Sequence, residues 1–174
     1  MKEIKLPKNA RILVGPEPVD LKEAVDEHRQ AYRNALEVLG SALAIERSMS
    51  LAVSFFLFGK DIKKREFLEA NILGSDWCGF AAKRKVVRSL MMTVGRYTPA
   101  DIDNFDKAMS KAMKYRNAFA HGEVTFSKEG VTLKYFEGQA IEKKLDESYW
   151  DGVVASFTDA HEKVRDLLEK LGVF

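Results

Sequence analysis

Two side chains suited to chemistry stand five positions apart in the stretch RNAFAH, which runs from Arg116 to His121. A guanidinium is a fixed cation that stabilises negative charge. An imidazole titrates at about pH 6.5 and can therefore exchange a proton near neutral pH. Asn117 adds an amide directly after the arginine. Together the three groups are suited to binding an anion and transferring a proton.

The tetrapeptide YRNA occurs twice, at 32–35 and at 115–118, and only the second copy is followed by a histidine. In the second copy the arginine continues a series of apolar residues at helical spacing, at 102, 105, 109 and 112. A guanidinium buried there without a partner would be costly, so the pattern predicts an acidic partner or a cleft for Arg116. In the first copy Tyr32 takes the inward position, so Arg33 is predicted to be solvated.

A structural role is the alternative to a chemical role for both Arg116 and His121. Glu46 lies on the inward line of the first helical stretch and is the acid that the pattern offers to Arg116. Gly122 can end the helix as a left-handed residue, and a histidine near a helix C-terminus is stabilised by the helix dipole. The pattern alone leaves both explanations open for Arg116 and His121.

The elements that must position the motif are predicted to be mainly α-helical. A first helical stretch begins at an N-cap at Asp20 and ends at Gly59, either as one helix or as two that break near Gly40. Further helices are predicted at about 62–73 and 79–94. A fourth helix opens at Thr98-Pro99, because proline is well tolerated at the first helical position.

After His121 the hydrophobic period changes from 3.6 to 2, which predicts a β-hairpin at about 123–144, with a short third strand left open. The helical period returns from Asp146. The predicted architecture is a bundle of four to five helices with a small hairpin before the last helix. Residues 20–174 are predicted to form a single domain, and 1–19 a Pro-punctuated extended segment.

The composition is that of a soluble globular protein, with 46% hydrophobic and 31% charged residues among 174. A net charge of +2 restricts any nucleic-acid contact to a local surface. The single cysteine excludes an internal disulfide and a cysteine-cluster metal site, and no metal or cofactor is expected. The longest apolar run, 51–58, is far below the roughly 18 residues of a membrane span. Without a secretion signal, the chain is expected in the cytoplasm.

The stretch RNAFAH resembles the motif of the HEPN superfamily, the nucleotide-binding domains of higher eukaryotes and prokaryotes. In that family an arginine, often followed by asparagine, precedes a histidine by four to six residues. Arg116 and His121 have the four-residue spacing, and Asn117 is in place. The position at the end of a late helix, before a hairpin and a final amphipathic helix, is also similar. The resemblance covers about residues 20–172.

The resemblance implies a homodimer whose motif helices face each other, and a metal-independent endoribonuclease of toxin–antitoxin or defence systems. By analogy His121 is the general acid or base, Arg116 stabilises the phosphorane charge, and Asn117 orients the arginine or the phosphate. Tyr115 and Glu46 would support them. The substrate's own 2′-hydroxyl attacks, which yields a 2′,3′-cyclic phosphate and a 5′-hydroxyl. The alternative is a non-catalytic dimerising, regulatory or nucleotide-binding module, and an antitoxin or other protein partner is left open.

The predicted RNA contacts are basic residues on two helices. They are Lys83, Arg84, Lys85 and Arg88 on the third helix, and Lys114 on the motif helix. The alternative is that these basic residues are ordinary solvent-exposed charges on the helix surface and bind no RNA. Stacking candidates are Trp77, Tyr97 and Tyr115, and packing residues of the core are the alternative for each.

Overall fold

The computed structural model describes residues 21–127 and 130–173, which form five α-helices, one π-helical turn and a three-stranded antiparallel sheet. The elements are α1 (Leu21–Phe58), α2 (Ile62–Leu68), the π-helical turn (Glu69–Leu73), α3 (Phe80–Val94), α4 (Pro99–His121), β1 (Glu123–Ser127), β2 (Gly130–Phe136), β3 (Ala140–Lys144) and α5 (Glu147–Leu171). The predicted mainly-α bundle with a small hairpin before the last helix is confirmed, and the third strand is present. The predicted segment 1–19 and the N-cap Asp20 lie outside the described residues.

α1 is one continuous helix, so Gly40 does not break it. A glycine inside a helix costs about 1 kcal/mol, and the packing of α1 against α3, α4 and α5 outweighs that cost. The part Arg29–Phe58 is long and apolar enough to cross a membrane, but core helices of soluble proteins pass the same test. Its buried residues Val38, Ile45 and Ala52 belong to the core. The arrangement is compatible with a soluble protein.

The core line of α1 differs from the predicted one at its N-terminal end. Tyr32, which the pattern places inward, is exposed, while Ala31 is buried in its place. Arg33 is exposed, as predicted. Neighbouring residues of a helix point about 100° apart, so Ala31 and Tyr32 lie on different sides of α1. Because both residues are apolar enough to be buried, the hydrophobic pattern alone does not show which of them faces the core.

Local signals define the ends of the next helices. Gly95 adopts the left-handed conformation after α3, with φ of 68°. Thr98 and Asp101 form a reciprocal capping box at the start of α4, with Pro99 in its first turn. Asp146 caps α5 by accepting a hydrogen bond from the Tyr149 amide at 2.9 Å. The boundaries predicted from these residues agree with the structure.

The sheet packs one face against the helices and leaves the other exposed. In β2 Leu133 is fully buried, whereas Lys134 and Phe136 point to the exposed face. β1 pairs with β2 so that Glu123 lies opposite Lys134, and β2 pairs with β3 so that Phe136 lies opposite Ala140. The alternation follows from the two-residue period of a strand.

A buried ion pair connects α1 to α3. Lys83 Nζ lies 2.7 Å from Glu46 Oε1, and the side chains are only 7% and 20% exposed. Two predictions were therefore wrong: Glu46 does not pair with Arg116, and Lys83 is not an exposed RNA contact. The physical reason is that α3 packs directly against α1, which places the Lys83 ammonium within ion-pair distance of the Glu46 carboxylate.

Replacing Lys83 by alanine is expected to lower the free energy of unfolding by about 3 kcal/mol, because Glu46 would remain a mostly buried, unpaired charge. The measurement is urea unfolding followed by circular dichroism. Lys85→Ala, at an exposed position of the same helix, is the matched control and should change stability by less than about 0.5 kcal/mol. Equal unfolding midpoints for the two variants would contradict a stabilising role of the pair.

Candidate functional site

The three motif residues lie at the C-terminal end of α4, where Asn117 stands between the other two. Arg116 and His121 point about 140° apart around the helix axis, because each residue turns the helix by about 100°. Arg116 Nη1 donates a hydrogen bond to Asn117 Oδ1 at 3.0 Å. Asn117 and His121 are four residues apart and share one face of the helix. The amide therefore draws the guanidinium towards the face that carries the imidazole.

Arg116 is half-buried rather than enclosed in the core. The predicted inward series is buried as far as Ala112, but in the last turns Ala118 and Phe119 are buried instead. The reason is the contact with α5, where the Phe119 ring stacks on Trp150 with centroids 5.4 Å apart. α5 covers one side of the helix end and leaves Arg116 at the edge, where no acid is required to satisfy it.

An aromatic cluster fixes this helix end. Tyr115 and Tyr149 meet edge to face at 5.7 Å, and Tyr149 also contacts Phe119 at 6.2 Å. Burial raises the pKa of the Tyr149 hydroxyl, and the neighbouring Tyr135 and Tyr115 raise it further. A Cβ on Gly152 would lie 3.1 Å from the Tyr115 hydroxyl. Tyr115 is thus a packing residue that supports the motif helix, and its predicted use as a stacking surface is not favoured.

His121 ends α4 and is exposed to solvent. Across 21–127 and 130–173, no hydrogen bond or ion pair involves its side chain. Gly122 does not adopt the predicted left-handed conformation, because its backbone is extended, with φ −89° and ψ 168°. The glycine is required for space, since a Cβ there would collide with the Ala118 carbonyl and lie 2.9 Å from the Lys134 carbonyl. This close approach brings β2 directly beside His121.

Lys114 shares the face of α4 that carries Asn117 and His121, because these residues are spaced at i, i+3 and i+7. Its Nζ lies 3.0 Å from Glu137 Oε1, just after β2, and both side chains remain largely exposed. The hydrogen bond from Lys114 to Glu137 raises the pKa of the lysine. The ion pair holds the turn between β2 and β3 next to the motif.

The predicted basic surface on α3 is largely engaged in intramolecular contacts. Arg84 donates to Ser110 Oγ at 2.5 Å, and its Nε lies 3.3 Å from Asp106 Oδ1. Lys85 is exposed and Arg88 is half-buried. Because Lys83 is buried as well, Lys85 is the most accessible cation of the group.

The structure places one further residue near the motif that the sequence pattern does not single out. It is Glu137, which follows β2 and pairs with Lys114 on the motif helix. The alternating pattern identifies the hairpin, but only the packing of the hairpin against α4 shows which of its residues reaches the motif helix. Of the other predicted stacking candidates, Trp77 is exposed in the segment before α3, and Tyr97 packs beneath Lys170 at 4.2 Å.

A groove of about 690 Å³ lies elsewhere, between α1 and α5. Its lining includes Val154, Phe157 and His161, and burial lowers the pKa of His161. Trp150 connects the groove to the aromatic cluster under the motif. Its charged lining residues are Glu37, Glu162 and Arg165, so the groove does not present a cationic path for a polyanion. None of the three motif residues lines this groove.

The motif combines a positioned cation, an amide and an accessible imidazole, a set able to bind a phosphate oxygen and to exchange a proton. In the part of the chain that the structure describes, no group of three or more His, Cys, Asp or Glu side chains could hold a metal ion. No family model, curated protein or solved structure matches the chain. Any function must therefore be inferred from the residues of the site.

Replacing Arg116 by alanine is expected to change the free energy of unfolding by less than about 1 kcal/mol, because its hydrogen bond to Asn117 is exposed to water. Phe119→Ala, in the next turn of the same helix, should cost about 3 kcal/mol through the loss of core packing. Thermal and urea unfolding of both variants measures the difference. If Arg116→Ala unfolded as readily as Phe119→Ala, the arginine would be a structural residue.

Proposed function

We propose that this protein is a HEPN-like, metal-independent endoribonuclease of the cytoplasm, acting as a homodimer in a toxin or defence system. The observation that carries the proposal is the hydrogen bond that positions Arg116 on Asn117, beside the exposed His121 on the same helix end. The sequence resemblance of RNAFAH to the HEPN motif supports it. Glu46 is not assigned a role in the reaction, because it is paired with Lys83.

The proposed reaction needs charge stabilisation and two proton transfers. The 2′-oxygen of the substrate attacks the adjacent phosphorus and gives up its proton, while the bond from phosphorus to the 5′-oxygen breaks and that oxygen takes a proton. His121 would carry out one transfer, and His121 of a second copy facing it could carry out the other. Arg116 would stabilise the charge on the non-bridging oxygens, with Asn117 holding its orientation. The products are a 2′,3′-cyclic phosphate and a 5′-hydroxyl.

Incubation with single-stranded RNA in EDTA tests the proposal, and tRNA is included so that a structure-specific enzyme is also detected. His121→Ala and Arg116→Ala are each expected to lower the cleavage rate by about 100-fold or more. Arg33→Ala is the matched control, because Arg33 occupies the other YRNA copy, is exposed and has no histidine after it. A DNA strand of the same sequence, which lacks the attacking 2′-hydroxyl, should remain intact. Mass spectrometry of the cleaved RNA should find the 2′,3′-cyclic phosphate.

Cleavage that is unchanged in His121→Ala, or that requires a divalent metal, would contradict this mechanism. No cleavage of any RNA by the wild-type protein would favour the alternative.

A non-catalytic dimerising or regulatory module is the second candidate, and one observation favours it. α1 exposes Tyr32, Leu36 and Leu43. These positions lie on one side of the helix, on a line distinct from the buried Val38. The exposed Gly40 lies between the two leucines, and a Cβ added there would meet no atom of the described residues within 4 Å. A second helix could therefore approach α1 closely on this side.

Sedimentation velocity of Leu36→Asp tests this second candidate. If the α1 surface forms the assembly, the variant should sediment as a smaller species than the wild type at the same concentration. Val154→Asp, at an exposed apolar position on α5, is the control and should leave the assembly unchanged. A dimer that persists in Leu36→Asp would exclude this α1 surface as the essential contact.

A further inference from the structure

The groove between α1 and α5 has the size of a ligand site and contains none of the three motif residues. Its volume of about 690 Å³ lies within the range of small-molecule sites in proteins. On α1 its lining extends from Asn34 to Ser48, a length of about 21 Å at the rise of an α-helix. The groove is therefore elongated and suits an extended ligand better than a compact one.

The floor of the groove is apolar. Val38, Val153 and Phe157 line it and are buried. Trp150 adds a half-buried indole ring, and Val154 adds an apolar side chain that is 64% exposed. An apolar ligand body in the groove would remove this surface from water, which favours binding in proportion to the area covered.

The carboxylates of the groove lie at its exposed rim and carry uncompensated negative charge. Glu37 and Glu162 are both exposed, and within the described ranges neither side chain makes an ion pair or a hydrogen bond. Arg165 also lines the groove, but its Nε lies 3.6 Å from Glu169 Oε1. Because Glu169 compensates that arginine, the two glutamates are left to attract a cation from solution.

His161 does not cancel this negative charge. Its side chain lines the groove, and burial lowers the pKa of the imidazole below its ordinary value. The ring is therefore neutral at pH 7. A neutral imidazole can donate or accept a hydrogen bond, so His161 adds a polar contact to the groove without adding a positive charge.

We propose that the groove between α1 and α5 binds an elongated organic cation, with an apolar body on the floor and an ammonium group at the rim beside Glu37 and Glu162. The ligand class is an amine on an aromatic or aliphatic chain. A carboxylate or phosphate ligand of the same shape is disfavoured, because the two glutamates repel it. The inference goes beyond the proposed ribonuclease function and does not depend on it.

A pair of fluorescent probes with opposite charge tests this ligand class. Dansylcadaverine joins an aromatic body to a primary ammonium group through an alkyl chain. Dansyl-aminocaproate has the same aromatic body and a similar chain, but it ends in a carboxylate. Dansyl emission rises when the ring leaves water, so titration with the full-length protein gives the affinity for each probe.

The wild-type protein is expected to bind the cationic probe about tenfold or more tightly than the anionic probe. The double replacement of Glu37→Gln and Glu162→Gln should remove this preference and keep the weaker binding of the dansyl body. Asp151→Asn is the matched control, because Asp151 is an exposed acid of α5 that does not line the groove. This control variant should retain the preference of the wild type.

Thr158→Trp tests whether the probe lies in the groove. Thr158 lines the groove and is exposed, so an indole at this position would fill the groove without entering the core. Both probes are expected to bind this variant about tenfold more weakly, because the added ring occupies their place. Circular dichroism of each variant verifies that the fold is intact.

The inference is overturned if the wild type does not bind dansylcadaverine at concentrations up to about 1 mM, or if it binds the two probes equally. It is also overturned if the double glutamine variant keeps the preference, or if Thr158→Trp binds the probes like the wild type. None of these results bears on the proposed ribonuclease, which is judged by cleavage of RNA in the wild type and in His121→Ala.

Discussion

The ion pair between Glu46 and Lys83 determines how the motif arginine can be used. Glu46 is the acid that the hydrophobic pattern places inside the bundle for Arg116, and a buried carboxylate requires a cation. Because α3 supplies that cation at 2.7 Å, the core is neutralised without the motif. Arg116 then remains at the edge of α4, where its guanidinium contacts an amide instead of a carboxylate. A cation not neutralised by an acid is what an anion-binding site needs.

The open surface around the motif is assembled from parts of the chain that are distant in sequence. The end of α4 supplies the arginine, the asparagine and the histidine, and the turn after β2 supplies Glu137, which pairs with Lys114. α5 packs against the buried side of this helix end through the stack of Trp150 on Phe119. That stack rotates the buried line of α4 away from Arg116. The hairpin is thus part of the site, since it forms one wall beside His121.

The exposure of the motif to water affects how strongly it can stabilise charge in the proposed reaction. In a water-exposed site electrostatic stabilisation is weak, and it strengthens when water is excluded. A second copy facing the motif, as proposed, would both exclude water and supply another imidazole.

The sequence by itself determined the ends of α3, the starts of α4 and α5, the hairpin and the position of the motif at a helix end, because capping residues, glycines and hydrophobic period act over a few neighbouring residues. It left open whether α1 breaks near Gly40. It also identified Arg116, Asn117 and His121 as the candidate site. Only the tertiary structure decided that Lys83 is buried against Glu46, that Tyr32 is exposed, and that Glu137 pairs with Lys114. These outcomes depend on which helix packs against which and on how the hairpin packs against α4, and such contacts join residues whose separation along the chain carries no information about their distance in space.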